Sequence, residues 1–440
     1  MSLWFKNKFF EKAHNLEYLD LVIYSLEEFQ VGYRSGSIEA NENKSTVYAV
    51  RAFNKGKWVI NSTYDLSKID TILNKTVERA LRAEGPRKAW YKISNPVKGK
   101  YILGSRISEE DKEKALELSE TLCDRIIDKG CSKCETIVTL SKTYKQYISS
   151  ENAEAEEETN TTYILVYGIS EIGRRGVAGE IIGYLGNLVS IDESFFLKLA
   201  DKVAERAKSC SKAKTLHPLR RGLKWDVVFD HTTSAAIFHE VVHMLEADTM
   251  RTKIKLPFRF FKEKITLIDD PTIPWGFGSY SFDDEGVRAR RKTLIEDGEV
   301  VNLIHTRETA VEWGVEPLGN ARGIFHKPKA LASNIIVKPS DWRFEELIEE
   351  TREGIYVEGL VKAELSLNNI VTLIPEAAWI IEKGELKEPV LINYVKLQIP
   401  KHLNYIEGLG KELKQKPSFE KGYRVSEYSP PMKIKGVLVG

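Results

Sequence analysis

The sequence predicts an α+β protein of two domains, rich in antiparallel sheet. Three observations lead there. The 440 residues are too many for one core, on a prior of roughly 100–200 residues per domain. Short β-branched and aromatic runs recur with glycine-bearing turns between them, and they dominate the second half. A polar stretch with Pro and Gly at residues 212–222 separates two patterned regions. The expected division is an N-terminal α+β domain at 1–215 and a C-terminal β-rich domain at 216–440.

The first segment reads as helix, strand, strand. Residues 19–24 are an apolar run and 31–38 alternate weakly. Residues 46–53 are β-branched and aromatic. A turn at 54–57 and a returning strand at 58–60 complete a hairpin signature. Residues 67–83 have helical spacing, with Ile69, Ile72, Leu73, Val77 and Leu81 on one face. Ser108 caps a second helix to about Lys129, with Glu109 and Glu110 in the first turn, where the helix dipole favours them. Strands are expected at 136–140 and 161–167, with the acidic stretch 151–159 as a solvated loop or hairpin tip. Residues 195–210 form an amphipathic helix that has ended by His217-Pro218, and 225–229 read as a buried strand. Hairpins follow at 293–304 and 379–391, and 341–354 reads as one helix.

Composition excludes several classes. Hydrophobic content is 42%, charged content 29% and net charge +1, with a pI near 7.6, so no basic footprint marks a nucleic-acid binder. The basic run at residues 288–292 reads as solvated surface. No segment reaches the roughly 18 consecutive apolar residues of a membrane helix, and residues 1–8 lack the apolar stretch of a secretory signal. A cytoplasmic protein is expected. Cys123, Cys131, Cys134 and Cys210 are too few for a disulfide framework. Cys131 and Cys134 form a CxxC without a second metal-ligating pair nearby, and they read as incidental thiols.

The chemistry lies in His239-Glu240-Val241-Val242-His243, an HExxH flanked by helix-forming residues. Residues four apart on a helix lie roughly 6 Å apart on one face, so both imidazoles can converge on one zinc ion. Glu240 is placed to take a proton from water at the metal, as general base. A catalytic zinc takes a third protein ligand. Glu246, Asp248, His305, His326 and Asp230 are candidates, with Glu246 also fitted to receive a ligand-histidine N–H. Imidazole suits several divalent metals besides zinc.

The segment from Phe238 to Asp248 resembles the metal-binding segment of the TldD/PmbA family. Asp283-Asp284-Glu285-Gly286-Val287 with residues 294–298 is similar to a second family run. Leu318-Gly319-Asn320-Ala321-Arg322 with Ala332-Ser333-Asn334 is similar to a third, as are residues 376–390 and 50–58 to others. The likeness covers nearly the whole chain in order. It implies a dimer, of like or unlike subunits, enclosing a cavity where small or unfolded peptides are cut with zinc. Two departures stand out. The family's usual motif is HExxxH, and here the spacing is four, which requires no bulge in the helix. The family's active branch also supplies a third ligand from a cysteine near the C-terminus, and no cysteine follows Cys210. A peptidase with zinc on His239 and His243 is therefore set against a non-catalytic subunit that binds peptide or completes a heterodimer. Asn320, Arg322 and Asn334 match family positions outside the helix and are candidate substrate contacts. Arg322 is suited either to a peptide carboxylate or to a structural acid.

Overall fold

The computed structural model describes residues 3–34, 36–85, 89–217, 220, 222–250 and 253–440. Met1, Ser2 and Pro218, all used above, lie outside them. The first half builds one seven-stranded sheet. Its order is Lys57–Thr63, Ser37–Asn54, Tyr18–Arg34, Lys133–Ser149, Glu154–Ser170, Lys98–Leu103, and Gly176–Leu185 also pairs with Glu154–Ser170. Neighbours are antiparallel except Lys98–Leu103, which runs parallel to its partner. Side chains alternate across a strand, and here the two faces have separate tasks. Val31, Val138, Leu140, Ile164 and Val166 pack against the helices Glu109–Asp128 and Glu193–Lys212. The opposite face, with Thr139, Ser141, Thr143, Thr159 and Thr161, lines a cleft shared with the second half.

Most expected elements are present, and the differences have physical causes. The expected helix at 67–83 is Ile69–Leu81. Ser108 and Asp111 close a capping box on the next helix, the Ser108 N–H donating to Asp111 Oδ2 at 2.7 Å. Residues 31–38 are not one strand but a hairpin, turning at Gly36 with φ +84°. The acidic stretch is a hairpin tip only at its start, since a strand begins at Glu154. Its charges meet lysines on neighbouring strands, Glu156 with Lys100 at 3.0 Å, Glu157 with Lys145 at 3.7 Å and Glu158 with Lys142 at 3.6 Å. The expected helix at 341–354 shrinks to Phe344–Glu349. Its end is taken by a strand whose residues 354–357 pair in parallel with 226–229, so sheet pairing overrides local propensity. The CxxC reading is also corrected. Cys134 is bonded to Cys123 across the helix–sheet layer, with Cα atoms 5.3 Å apart, and Cys131 is a buried thiol.

In the second half, five strands close on themselves: Glu353–Leu365, Leu223–Phe229, Met432–Val439, Val395–Gln398 and Ile370–Glu382, which pairs back to the first. This is a β-barrel. A second sheet runs Phe258–Arg259, Glu299–Val300, Lys292–Glu296, Leu267–Asp269, Asn334–Val337, Tyr423–Ser429, Lys414–Glu420. The helix His231–His243 lies between barrel and sheet. It buries Ala236, Ile237, Phe238, Val241 and Val242 in the largest core of the molecule, with Val227, Phe229, Ile335 and Val357. Fully burying each large aliphatic side chain stabilises the fold by about 1.5–3 kcal/mol, so the helix is held rigidly. Among the described residues no helix is long and apolar enough to cross a membrane.

Candidate metal centre

The HExxH helix begins at Asp230, whose carboxylate accepts from the Thr233 N–H at 2.8 Å and from the Gly359 N–H at 3.2 Å. Asp230 is thus a helix cap, not a metal ligand. The helix is regular to its last residue, His243. The four-residue step therefore brings the two imidazoles together, ring centroids 4.7 Å apart and Nε2 atoms 3.0 Å apart. Its carbonyl end carries the negative pole of the helix dipole, which favours a cation there.

Each ring is oriented from behind. His239 Nδ1 lies 2.6 Å from Glu427 Oε1, and His243 Nδ1 lies 2.7 Å from Glu246 Oε1. Both carboxylates are buried. With Nδ1 donating in both rings, both Nε2 atoms point to the same place, and at 3.0 Å either a proton shared between them or a cation beside them relieves the repulsion of their lone pairs. Glu420 Oε2 completes the group, 3.8 Å from each Nε2. All three ligand atoms lie within 4.8 Å of one another. Ligand atoms on a tetrahedral zinc ion are about 3.3 Å apart, so two histidines and one carboxylate at these separations fit the ion. Side-chain exposures of 16%, 25% and 23% for His239, His243 and Glu420 leave one side open to solvent.

The electrostatics agree. Burial opposes charge on His239, but Glu427 and Glu420 outweigh it and lift its pKa to about 9. Glu420 is pulled down to about 2, chiefly by His239. Burial would raise Glu427, yet Lys416 and His239 hold it at about 2. Lys416 Nζ, at 3.1 Å, and Ser418 Oγ, at 3.0 Å, also donate to Glu427. The pocket is a negative well holding two imidazoles. Glu240 follows His239 on the same helix, half-buried.

The remaining candidates separate. Glu246 takes the outer position behind His243. Asp248 accepts from the Ala330 N–H at 3.3 Å. His305 is buried beside Trp313, bonded to Thr309 at 3.2 Å, and burial pushes its pKa down to about 4. His326 is exposed and faces Tyr423. None of these joins the trio. Asn320 bonds Lys292, Asp269 and the Leu331 carbonyl, and Asn334 bonds Asp270, Ser279, Gly278 and Ser426. Both are buried with their amides committed inside the fold. Arg322 does line the cleft, whose volume is about 570 Å³. Its loop is fixed by buried Arg51, which pairs with Asp20 at 2.7 Å and donates to the Gly323 and Asp284 carbonyls.

Glu420 and Glu427 were missed in the sequence. Both lie on the hairpin Lys414–Glu420/Tyr423–Ser429, about 180 residues beyond the helix. Glu420 lies near the C-terminus, the region from which the resemblance implies a third ligand, as a carboxylate rather than a thiol.

Residues 223–440 match the PmbA/TldA metallopeptidase C-terminal domain. A metalloprotease of Methanothermobacter thermautotrophicus is 26% identical, over 97% of this chain and 96% of that one. One from Methanocaldococcus jannaschii is 29% identical, over 84% and 85%. A zinc metalloprotease TldD homologue of Saccharolobus solfataricus is 25% identical, over 68% and 69%. Two crystal structures share the fold over 99% of each chain. One is a candidate modulator of a DNA gyrase from Thermotoga maritima, with a TM-score of 0.80 at 18% identity. The other is TldE from Thermococcus kodakarensis, with 0.79 at 17%. On the strand-rich fold and these likenesses, the chain belongs to the TldD/PmbA family of metallopeptidases.

Proposed function

We propose that this chain is a zinc-dependent peptidase acting on small or unfolded peptides, with His239, His243 and Glu420 as ligands and Glu240 as general base. The observation that carries the reading is the convergence of three ligand atoms, with each imidazole backed by its own carboxylate. A zinc ion held there supplies Lewis acidity toward the peptide carbonyl and toward water. Glu427 and Glu246 keep both Nδ1 atoms protonated, so Nε2 is the atom each ring would offer the metal, His239 after giving up its second proton. Glu240 receives the proton of the attacking water on its carboxylate and delivers it to the leaving amine. Its place next to His239, on a helix locked by core packing, supports that role.

The competing reading, a peptide-binding subunit without competent zinc, rested on the missing C-terminal cysteine. Glu420 offers a carboxylate in its stead, which favours the catalytic reading. The likeness to TldE keeps open a role beside an unlike subunit, and we place the chain in a homodimer or heterodimer whose cavity holds the peptide. A cytoplasmic location is consistent with the reading. Peptidase assay of Glu240→Gln against wild type, both zinc-loaded, tests it. Lost cleavage with retained zinc is expected, and equal cleavage by the two proteins rules out the assigned base.

A further inference from the structure

We propose that Arg322 and Arg424 form a carboxylate-binding subsite in the cleft between the first sheet and the second half. It would receive either the free C-terminus of a short peptide or an acidic side chain. The subsite rests on the peptidase reading for the identity of its ligand as a peptide, although binding itself needs no zinc.

The guanidinium of Arg322 is clamped between two rings, 4.3 Å from the centroid of Tyr280 and 4.7 Å from that of Tyr423. Its plane is therefore fixed. Its nearest acid, Asp284, lies 3.9 Å from Nε, beyond hydrogen-bonding reach. Asp284 instead accepts from the Gly323 N–H at 2.8 Å and from Lys145 at 3.4 Å. The Nε atoms of both Arg322 and Arg424 are buried and without a hydrogen-bond partner. Arg424 has no ion pair among the described residues, and burial together with the positive charge of Arg322 depresses its pKa.

Two adjacent cations with unsatisfied buried N–H groups are costly unless an anion completes them. Both line the same cavity. A planar guanidinium fork matches a carboxylate through two parallel hydrogen bonds. The cavity wall beside them is aromatic, with Phe419 5.4 Å from Tyr163 and 5.3 Å from Phe277, which suits an apolar side chain next to the bound carboxylate. The subsite is also tied to the metal centre by one hairpin. Glu420 pairs across the turn with Tyr423, and Phe419 with Arg424, so one hairpin carries both a carboxylate of the candidate metal centre and three residues of the cleft wall, Phe419, Tyr423 and Arg424.

The test is binding to zinc-stripped, full-length protein, followed by calorimetry. Three N-acetylated tripeptides serve as probes: a neutral sequence with a free C-terminus, its C-terminal amide, and an amide carrying one Glu. At least one acid should bind about 10–100-fold tighter than the neutral amide. Preference for the first names the terminal carboxylate as the ligand, and preference for the third names a side chain. Arg424→Gln should erase the preference, and Arg424→Lys should keep part of it. Equal binding of all three peptides to wild type overturns the subsite, as does a folded Arg424→Gln protein that keeps the preference. Should Arg424→Gln fail to fold, the wild-type comparison and Arg424→Lys decide alone. A wild type that prefers the acid yet cuts no peptide after zinc is restored supports the subsite and refutes the peptidase.

Discussion

Replacing Glu427 by Gln removes one negative charge behind His239 while keeping nearly the same shape. Glu427 is fully buried and holds three partners, His239 Nδ1 at 2.6 Å, Ser418 Oγ at 3.0 Å and Lys416 Nζ at 3.1 Å. The amide oxygen of Gln can still accept from the ring, so the change is chiefly in charge. Outer carboxylates of this kind contribute about 10–100-fold in metal affinity, equivalent to about 1.4–2.7 kcal/mol. The same carboxylate also raises the His239 pKa toward about 9, so in wild type zinc competes with a proton at neutral pH. Glu427→Gln relieves that competition and hides part of its own cost. The affinity gap should therefore widen as pH rises through about 9. Competition with a chromophoric chelator across this range measures it. Unchanged affinity above pH 9, in a protein of unaltered fold, would refute the claim that Glu427 orients and strengthens His239.

Further outcomes follow from the same contacts. Glu240→Gln should lower peptide cleavage by about 10²–10⁴-fold without loss of zinc, read by steady-state assay beside metal analysis. Asp230→Ala removes the cap of the metal helix and leaves the Thr233 and Gly359 N–H groups without their acceptor. It should cost about 1–2 kcal/mol of stability in urea unfolding. Glu376 gives a pH signature. Burial lifts its pKa to about 7 although Arg206 lies 2.9 Å away, because that guanidinium is shared with Glu180 and Glu358. A carboxyl whose folded pKa exceeds its unfolded value keeps a proton the unfolded chain releases. Its contribution is complete below about pH 4.5 and is lost as pH rises through 7. Glu376→Gln should flatten the urea midpoint across that window, and a midpoint that falls as in wild type would assign the dependence elsewhere.

The sequence revealed local pattern well and distant pairing poorly. The helices at 69–81, 109–128 and 193–212 were legible because an apolar face repeats at helical period, and Ser108 marks the start of the second. The HExxH helix was legible because both histidines lie on one face of one element. Glu420 was not, since its place beside them depends on a hairpin about 180 residues away that packs on the helix only in the folded chain. The strand expected at 161–167 starts earlier, at Glu154, because the acids that hid its first part pair with lysines on other strands. The helix expected at 341–354 gave way to sheet pairing with residues 226–229. Asn320 and Asn334 sit in recognisable motifs, yet their amides hold loops together, while Arg322 reaches the cleft.

Metal content tests the central claim most directly. Protein purified without chelators is loaded with zinc, freed of excess and analysed by mass spectrometry, beside His239→Ala/His243→Ala, Glu420→Ala and Glu420→Cys. The account predicts about one zinc ion per wild-type chain. It predicts none in the double variant, a strong loss in Glu420→Ala, and retention in Glu420→Cys, where a thiolate takes the carboxylate's place. A wild type that holds no zinc, or a Glu420→Ala protein that holds it as firmly as wild type, would contradict the three-ligand centre.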